Sequence, residues 1–115
     1  MELKAVYESF GGDYDAVLSR LMSADRIEKY LRLFLKDTLM QDLVSTKEAE
    51  DYESMFRASH TMKGNSDTLG LTKLHASSVV LTEALRSQDY SNLDEQLAAV
   101  KSDYEQIENA VAAAE

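Results

Sequence analysis

Apolar residues recur along this chain at intervals of three and four, in runs separated by short polar or glycine-containing breaks. That period is the mark of amphipathic helices. Leu3, Val6, Tyr7 and Phe10 predict a first short helix that ends at Gly11-Gly12. Asp13 is placed to cap a second short helix carrying Val17, Leu18 and Leu21. Ser23 then caps a longer one, with Ile27, Leu31, Phe34, Leu35, Leu39 and Leu43 marking one face. The string STKE, Ser45 to Glu48, reads as a capping box opening the next helix, which Gly70 closes. Leu71, Leu74, Ser78, Leu81 and Leu85 mark the inward face of a segment from about Leu71 to Arg86. SNLD, Ser91 to Asp94, opens the last helix, with Leu93, Leu97, Val100, Tyr104, Ile107 and Val111 in register.

Four long amphipathic helices joined by short loops pack most economically as an antiparallel up-and-down four-helix bundle. The expected fold is therefore all-α and a single domain over residues 1–115, with short N-terminal helices in 1–22 and the bundle from about 24 to 112. The short helices are expected to cap one end of the bundle or to lie across a face. No linker, low-complexity tract or internal repeat interrupts the pattern.

Composition agrees with this pattern: the chain has no proline and only four glycines. It has no cysteine, which removes disulfides, thiolate metal sites and cysteine nucleophiles together. The amino terminus lacks the basic and apolar blocks of a signal peptide, and no apolar run approaches the ~18 residues of a membrane span. A cytoplasmic protein is expected. A net charge of −9 argues against nucleic acid or an anionic membrane as partner, since both attract clustered Lys and Arg.

Within the stretch RASHTMKGNSDTLG, Arg57 to Gly70, one helix holds a histidine, a lysine three residues on and a glycine four residues on. An interior glycine costs a helix about 1 kcal/mol relative to alanine, so a compensating role is expected for it. At about 100° per residue from His60, Tyr52, Met55, Ser59, Met62, Ser66 and Leu69 form the buried stripe, and His60 lies on the outer face. Phe56 and Gly64 sit one turn before and after it, Arg57 and Lys63 flank it on opposite sides, and Glu53 and Asp67 lie two turns away. An exposed imidazole is mostly neutral at pH 7, so its lone pair is available as a nucleophile. If the ring accepts a phosphoryl group, Lys63 is placed to bind the oxygens as a point charge, and Arg57 is the weaker second cation. Gly64 removes the side chain that would obstruct a large partner.

ASHTMKGNSDTLGLTKL, Ala58 to Leu74, resembles the signature of histidine-containing phosphotransfer (HPt) domains, which reads Ala-His-x-Leu-Lys-Gly-Ser followed by a short helical stretch and a Leu-Gly pair. GGDYDAVLSRL, Gly11 to Leu21, looks like the opening of small stand-alone members. The resemblance implies a four-helix bundle whose His60 carries a phosphoryl group between the aspartates of response-regulator receiver domains, or from a hybrid histidine kinase, in a two-component phosphorelay. It implies that Lys63 stabilises the phosphoryl oxygens and Gly64 gives the receiver access. Phe56, Arg57 and Asp67 are candidate receiver contacts. The resemblance further implies a carrier with no autokinase activity and no cofactor or metal of its own, the Mg2+ residing on the receiver. A monomer is expected. Ser59, Met62 and Asn65 depart from the usual pattern. The first two lie on the packed side, whereas Asn65, at about 140° from His60, bears on partner choice.

The bland alternatives are specific as well. An isolated exposed histidine is usually a surface residue, and a bundle that binds a partner without chemistry, including a degenerate HPt, is the competing class. The intact set of His60, Lys63 and Gly64 argues against it, because a scaffold needs no exposed histidine beside a helix-weakening glycine. His75 lies at the edge of the buried stripe of the next helix and reads as a boundary residue. A bundle metal site needs Glu-x-x-His, but Arg57 and Thr72 stand three residues before the two histidines. Phe56 either docks a partner or packs at the core edge. A kinase is excluded by the lack of a glycine-rich phosphate loop, and a receiver by the lack of alternating strands and helices.

Overall fold

A computed structural model describes residues 1–115 as seven helices and no strand. They are α1 (Leu3–Ser9), α2 (Tyr14–Leu21), α3 (Ala24–Lys36), α4 (Leu39–Glu48), α5 (Tyr52–Thr68), α6 (Thr72–Arg86) and α7 (Leu93–Ala113). Their apolar stripes merge into one core, which includes Val17, Ile27, Leu31, Leu43, Met55, Met62, Leu74, Leu81 and Val100, all fully buried. α5 packs between α4 and α6, and α6 against α7. α5 and α6 run antiparallel: His75 meets Lys63 near their shared turn, and Thr82 meets Ser59 farther along. No helix is long and apolar enough to cross a membrane.

Three helix boundaries differ from the sequence expectation. The helix expected to run unbroken from Ser23 through Leu43 divides at Asp37 and Thr38 into α3 and α4. Asp37 Oδ1 accepts a hydrogen bond from the Leu39 N–H (3.0 Å), and the Thr38 hydroxyl bonds Asp42 (3.0 Å). Short polar side chains here compete with the helical ladder, while the apolar register continues across the break. The STKE segment closes α4 instead of opening α5: the Ser45 and Thr46 hydroxyls donate backward to the Asp42 carbonyl. The cap of α5 is Asp51, whose carboxylate accepts from the Ser54 N–H; hydrogen bonding from the Ser54 hydroxyl first, and from this N–H second, holds its pKa below the usual carboxylate value. At SNLD, Ser91 bonds back to Asp89, and α7 begins at Leu93 with no side-chain cap.

Asp37 gives a pH-dependent expectation. Burial raises its pKa, opposed by the bond from Leu39 and reinforced by Asp42. Because the folded value lies above the unfolded one, ionised Asp37 opposes folding at neutral pH and protonated Asp37 does not. Asp37→Asn keeps the acceptor for Leu39, so it raises the urea midpoint at about pH 7 and loses that advantage below about pH 3.5.

The short N-terminal helices cap the end of the bundle where α5 turns into α6. Gly70 adopts φ +67° and ends α5 in a Schellman turn, with the Leu71 N–H on Ser66 O (2.9 Å) and the Gly70 N–H on Asp67 O (3.1 Å). The N-terminal segment takes the carbonyls from Thr68 to Gly70 and adds a second donor to that of Asp67. Arg20 donates to Asp67 O and Thr68 O (both 2.8 Å), Tyr7 Oη to Leu69 O (2.8 Å), and the Asp13 N–H to Gly70 O (2.9 Å). A Cβ at Gly70 would stand 2.7 Å from Asp13 O, so this close docking itself requires glycine. Tyr7 is fully buried, and Tyr7→Phe orphans an acceptor there. It should cost about 1–2 kcal/mol and lower the thermal midpoint by several degrees, read by circular dichroism.

Candidate functional site

α5 buries Met55, Ala58, Ser59, Met62 and Ser66 and leaves His60 exposed. That side selection follows from the sequence: the apolar and small residues return every three to four positions, and His60 stands opposite them. Ser59, next to it, is buried and shares a 2.7 Å hydrogen bond with Thr82 of α6, which fixes the rotation of α5 about its axis. The exposure of His60 is thereby fixed as well.

Of the neighbours expected around the imidazole, Phe56 is the one packed alongside the ring. Phe56 is half-buried and lies nearly parallel to the His60 ring, with centroids 6.0 Å apart and planes at 16°. The Arg86 guanidinium sits over the Phe56 ring, 5.1 Å from its centroid, and is paired with Glu83. Phe56 is thus a packed support for the imidazole at the core edge and still shows part of its ring.

The two flanking cations differ. Arg57 lies on the α4 side, exposed and ion-paired with Glu53 one turn back. Lys63, whose carbonyl meets His75 of α6, is half-buried and takes part in none of the ion pairs. Of the two cations that flank His60 in the sequence, Lys63 is thus the one without an ion-pair partner. Gly64 is exposed, and a Cβ built there would meet nothing within 4 Å beyond its chain neighbours and the backbone of its own helix. Nothing inside the molecule requires glycine at this position, in contrast to Gly70. Asp67 exposes its side chain two turns away, while its carbonyl is held by Arg20.

Beyond Gly64, a groove of about 470 Å³ opens between α3 and the end of α5, lined by Leu21, Tyr30, Leu33, Phe34, Asn65 and Thr68 among others. Leu33 is 54% and Tyr30 44% exposed, so the surface on this side of the site is apolar. No group of three or more His, Cys, Asp or Glu side chains converges at the site or elsewhere.

The sequence alone did not single out Arg86, Arg20 or the bond that His75 makes, Nδ1 to Lys63 O at 3.0 Å. Periodicity reports which face a residue occupies and is silent about which distant residue it meets. The only signal was the boundary position of His75 on α6.

The family model for the Hpt domain matches residues 23–110. No curated protein and no solved structure matches the chain.

Proposed function

The chain belongs to the Hpt domain family, whose members carry phosphoryl groups on histidine in phosphorelays, and on that premise we propose that it is a cytoplasmic phosphoryl carrier with His60 as acceptor and donor. The observation that carries this reading is the set on one exposed face of α5: an imidazole open to solvent, an unpaired lysine beside it, and a glycine that no internal contact explains.

The chemistry is a pair of in-line transfers. The ring nitrogen of His60 that bears no proton forms a P–N bond as the P–O bond to a receiver aspartate breaks, and the carboxylate leaves with the electron pair. The reverse step delivers the phosphoryl group to a second receiver. Such transfer depends on positioning and charge neutralisation more than on covalent help. Lys63 supplies a cation to the equatorial oxygens, and Phe56 restrains the ring plane. Gly64 lets the receiver's acidic pocket approach the backbone of α5, and the apolar groove beside Asn65 takes part of the receiver's contact face. In this reading α3 with α4, α5, α6 and α7 form the up-and-down four-helix bundle, the chain holds no metal of its own, and Mg2+ resides on the receiver. No autokinase step is assigned to it.

The test is a relay in three parts. A receiver domain phosphorylated on aspartate is mixed with a second, unlabelled receiver, with and without this chain. Label reaching the second receiver only when the chain is present supports the carrier reading. Label that never leaves the first receiver, across several donors, refutes it.

A further inference from the structure

The turn of α5 that bears Lys63 and Gly64 is its intrinsically weakest, because Gly64 gives it no side chain to pack. Three side-chain hydrogen bonds fall on the two carbonyls there. Ser66 Oγ donates to Lys63 O (3.0 Å) and Thr68 Oγ1 to Gly64 O (3.1 Å), but both come from α5 itself and move with it. The third comes from His75 on α6, with Nδ1 3.0 Å from Lys63 O. A carbonyl oxygen only accepts, so Nδ1 carries the proton. His75 is half-buried, and its own N–H is held by Leu71 O (2.8 Å) in the first turn of α6. On its N-terminal side α5 is next tied by polar contact to the bundle at Ser59, and on its C-terminal side at Asp67. Between them His75 is the one polar tether from another element.

We propose that His75 is a positioning residue of the phosphoryl site: its bond to the Lys63 carbonyl holds the turn that sets the Lys63 ammonium beside His60. This rests on the carrier reading above. His75 touches neither the imidazole nor the phosphoryl group; it acts through Lys63. A displacement of that turn by about 1 Å is enough to misplace the ammonium relative to the oxygens of the bound group.

The experiment compares His75→Leu, which removes the donor, with His75→Asn, whose amide nitrogen stands near the position of Nδ1. Each is made alone and with Lys63→Ala. Transfer from a saturating phosphorylated receiver is followed in a single turnover, and the receiver concentration at half-maximal rate is measured separately. His75→Leu is expected to slow the saturated rate about tenfold, the scale of one lost hydrogen bond, with the half-maximal concentration unchanged. His75→Asn is expected to restore the rate to within about twofold. In the Lys63→Ala background, His75→Leu is expected to add nothing, because both act through one ammonium. Equal rates in wild type and His75→Leu, equal losses in His75→Leu and His75→Asn, or a full additional loss on top of Lys63→Ala would each overturn the assignment. If His75→Leu loses its helical circular dichroism, His75→Gln, whose nitrogen reaches too far for the same bond, replaces it in every comparison. Wild type that accepts no phosphoryl group removes the carrier reading and this assignment together. Wild-type transfer with an unaffected donor-less variant removes only the latter.

Discussion

His60→Gln is expected to abolish phosphoryl uptake completely while leaving the fold in place. Glutamine is close in length and helix-compatible, and the side chain it replaces is exposed, so the change in stability should stay within about 0.5 kcal/mol. The only packing lost is the loose parallel contact with Phe56. An amide nitrogen has no available lone pair, so no P–N bond can form at this position in its place. Thermal unfolding of both chains, run beside the uptake assay, separates a chemical loss from a structural one. Retained uptake in a folded variant would move the acceptor elsewhere, and His75 is the other histidine in the chain.

Gly64→Leu should separate stability from function in opposite directions. Leucine is the better helix former by about 0.8 kcal/mol, and the space around a Cβ at this site is empty, so the variant should unfold at higher temperature than wild type. The same side chain projects beside His60 one turn away, into the path of a docking receiver. Transfer is expected to fall by about a hundredfold, the scale of a reacting pair held out of register. Uptake from a small phosphodonor such as acetyl phosphate or phosphoramidate should change far less, because such a donor needs no docking face. Unchanged transfer from a receiver in this variant would defeat the access argument and leave Gly64 without a function.

Much of this site was legible before the structure because helical period is a direct readout of face. The exposure of His60, the burial of Ser59 and Met62, and the closure of α5 by Gly70 all follow from spacing and from one glycine at a left-handed position. The break between α3 and α4 was not legible, since Phe34, Leu35, Leu39 and Leu43 keep one register across it and only the side-chain bonds of Asp37 and Thr38 interrupt the ladder. The start of α5 at Tyr52 differs from the sequence expectation for a related reason. Ser45 and Thr46 can bond forward as caps or backward to the helix they end, and sequence does not distinguish the two. Three helices stop at left-handed residues that are not glycine, Met22, Glu50 and Gln88, so the usual stop signal is absent there. Contacts that depend on tertiary arrangement, such as Arg20 on the end of α5, Arg86 over Phe56 and His75 on Lys63, join residues that no local pattern relates.

These long-range contacts give the site its rigidity. The buried Ser59–Thr82 pair sets the rotation of α5, and the N-terminal helices hold its last carbonyls. The exposed imidazole therefore sits on a helix tied to the rest of the molecule on both sides of it.

The central claim is that His60 is the residue that bears the phosphoryl group. It is tested most directly by incubating the wild-type chain with a phosphorylated receiver and locating the acquired phosphate by peptide mapping under basic conditions, where phosphohistidine survives. The account predicts one phosphoryl group per chain, stable to base, labile to acid and mapped to His60. Phosphate mapped to His75 or to a hydroxyl side chain, or no uptake from any donor, would contradict it.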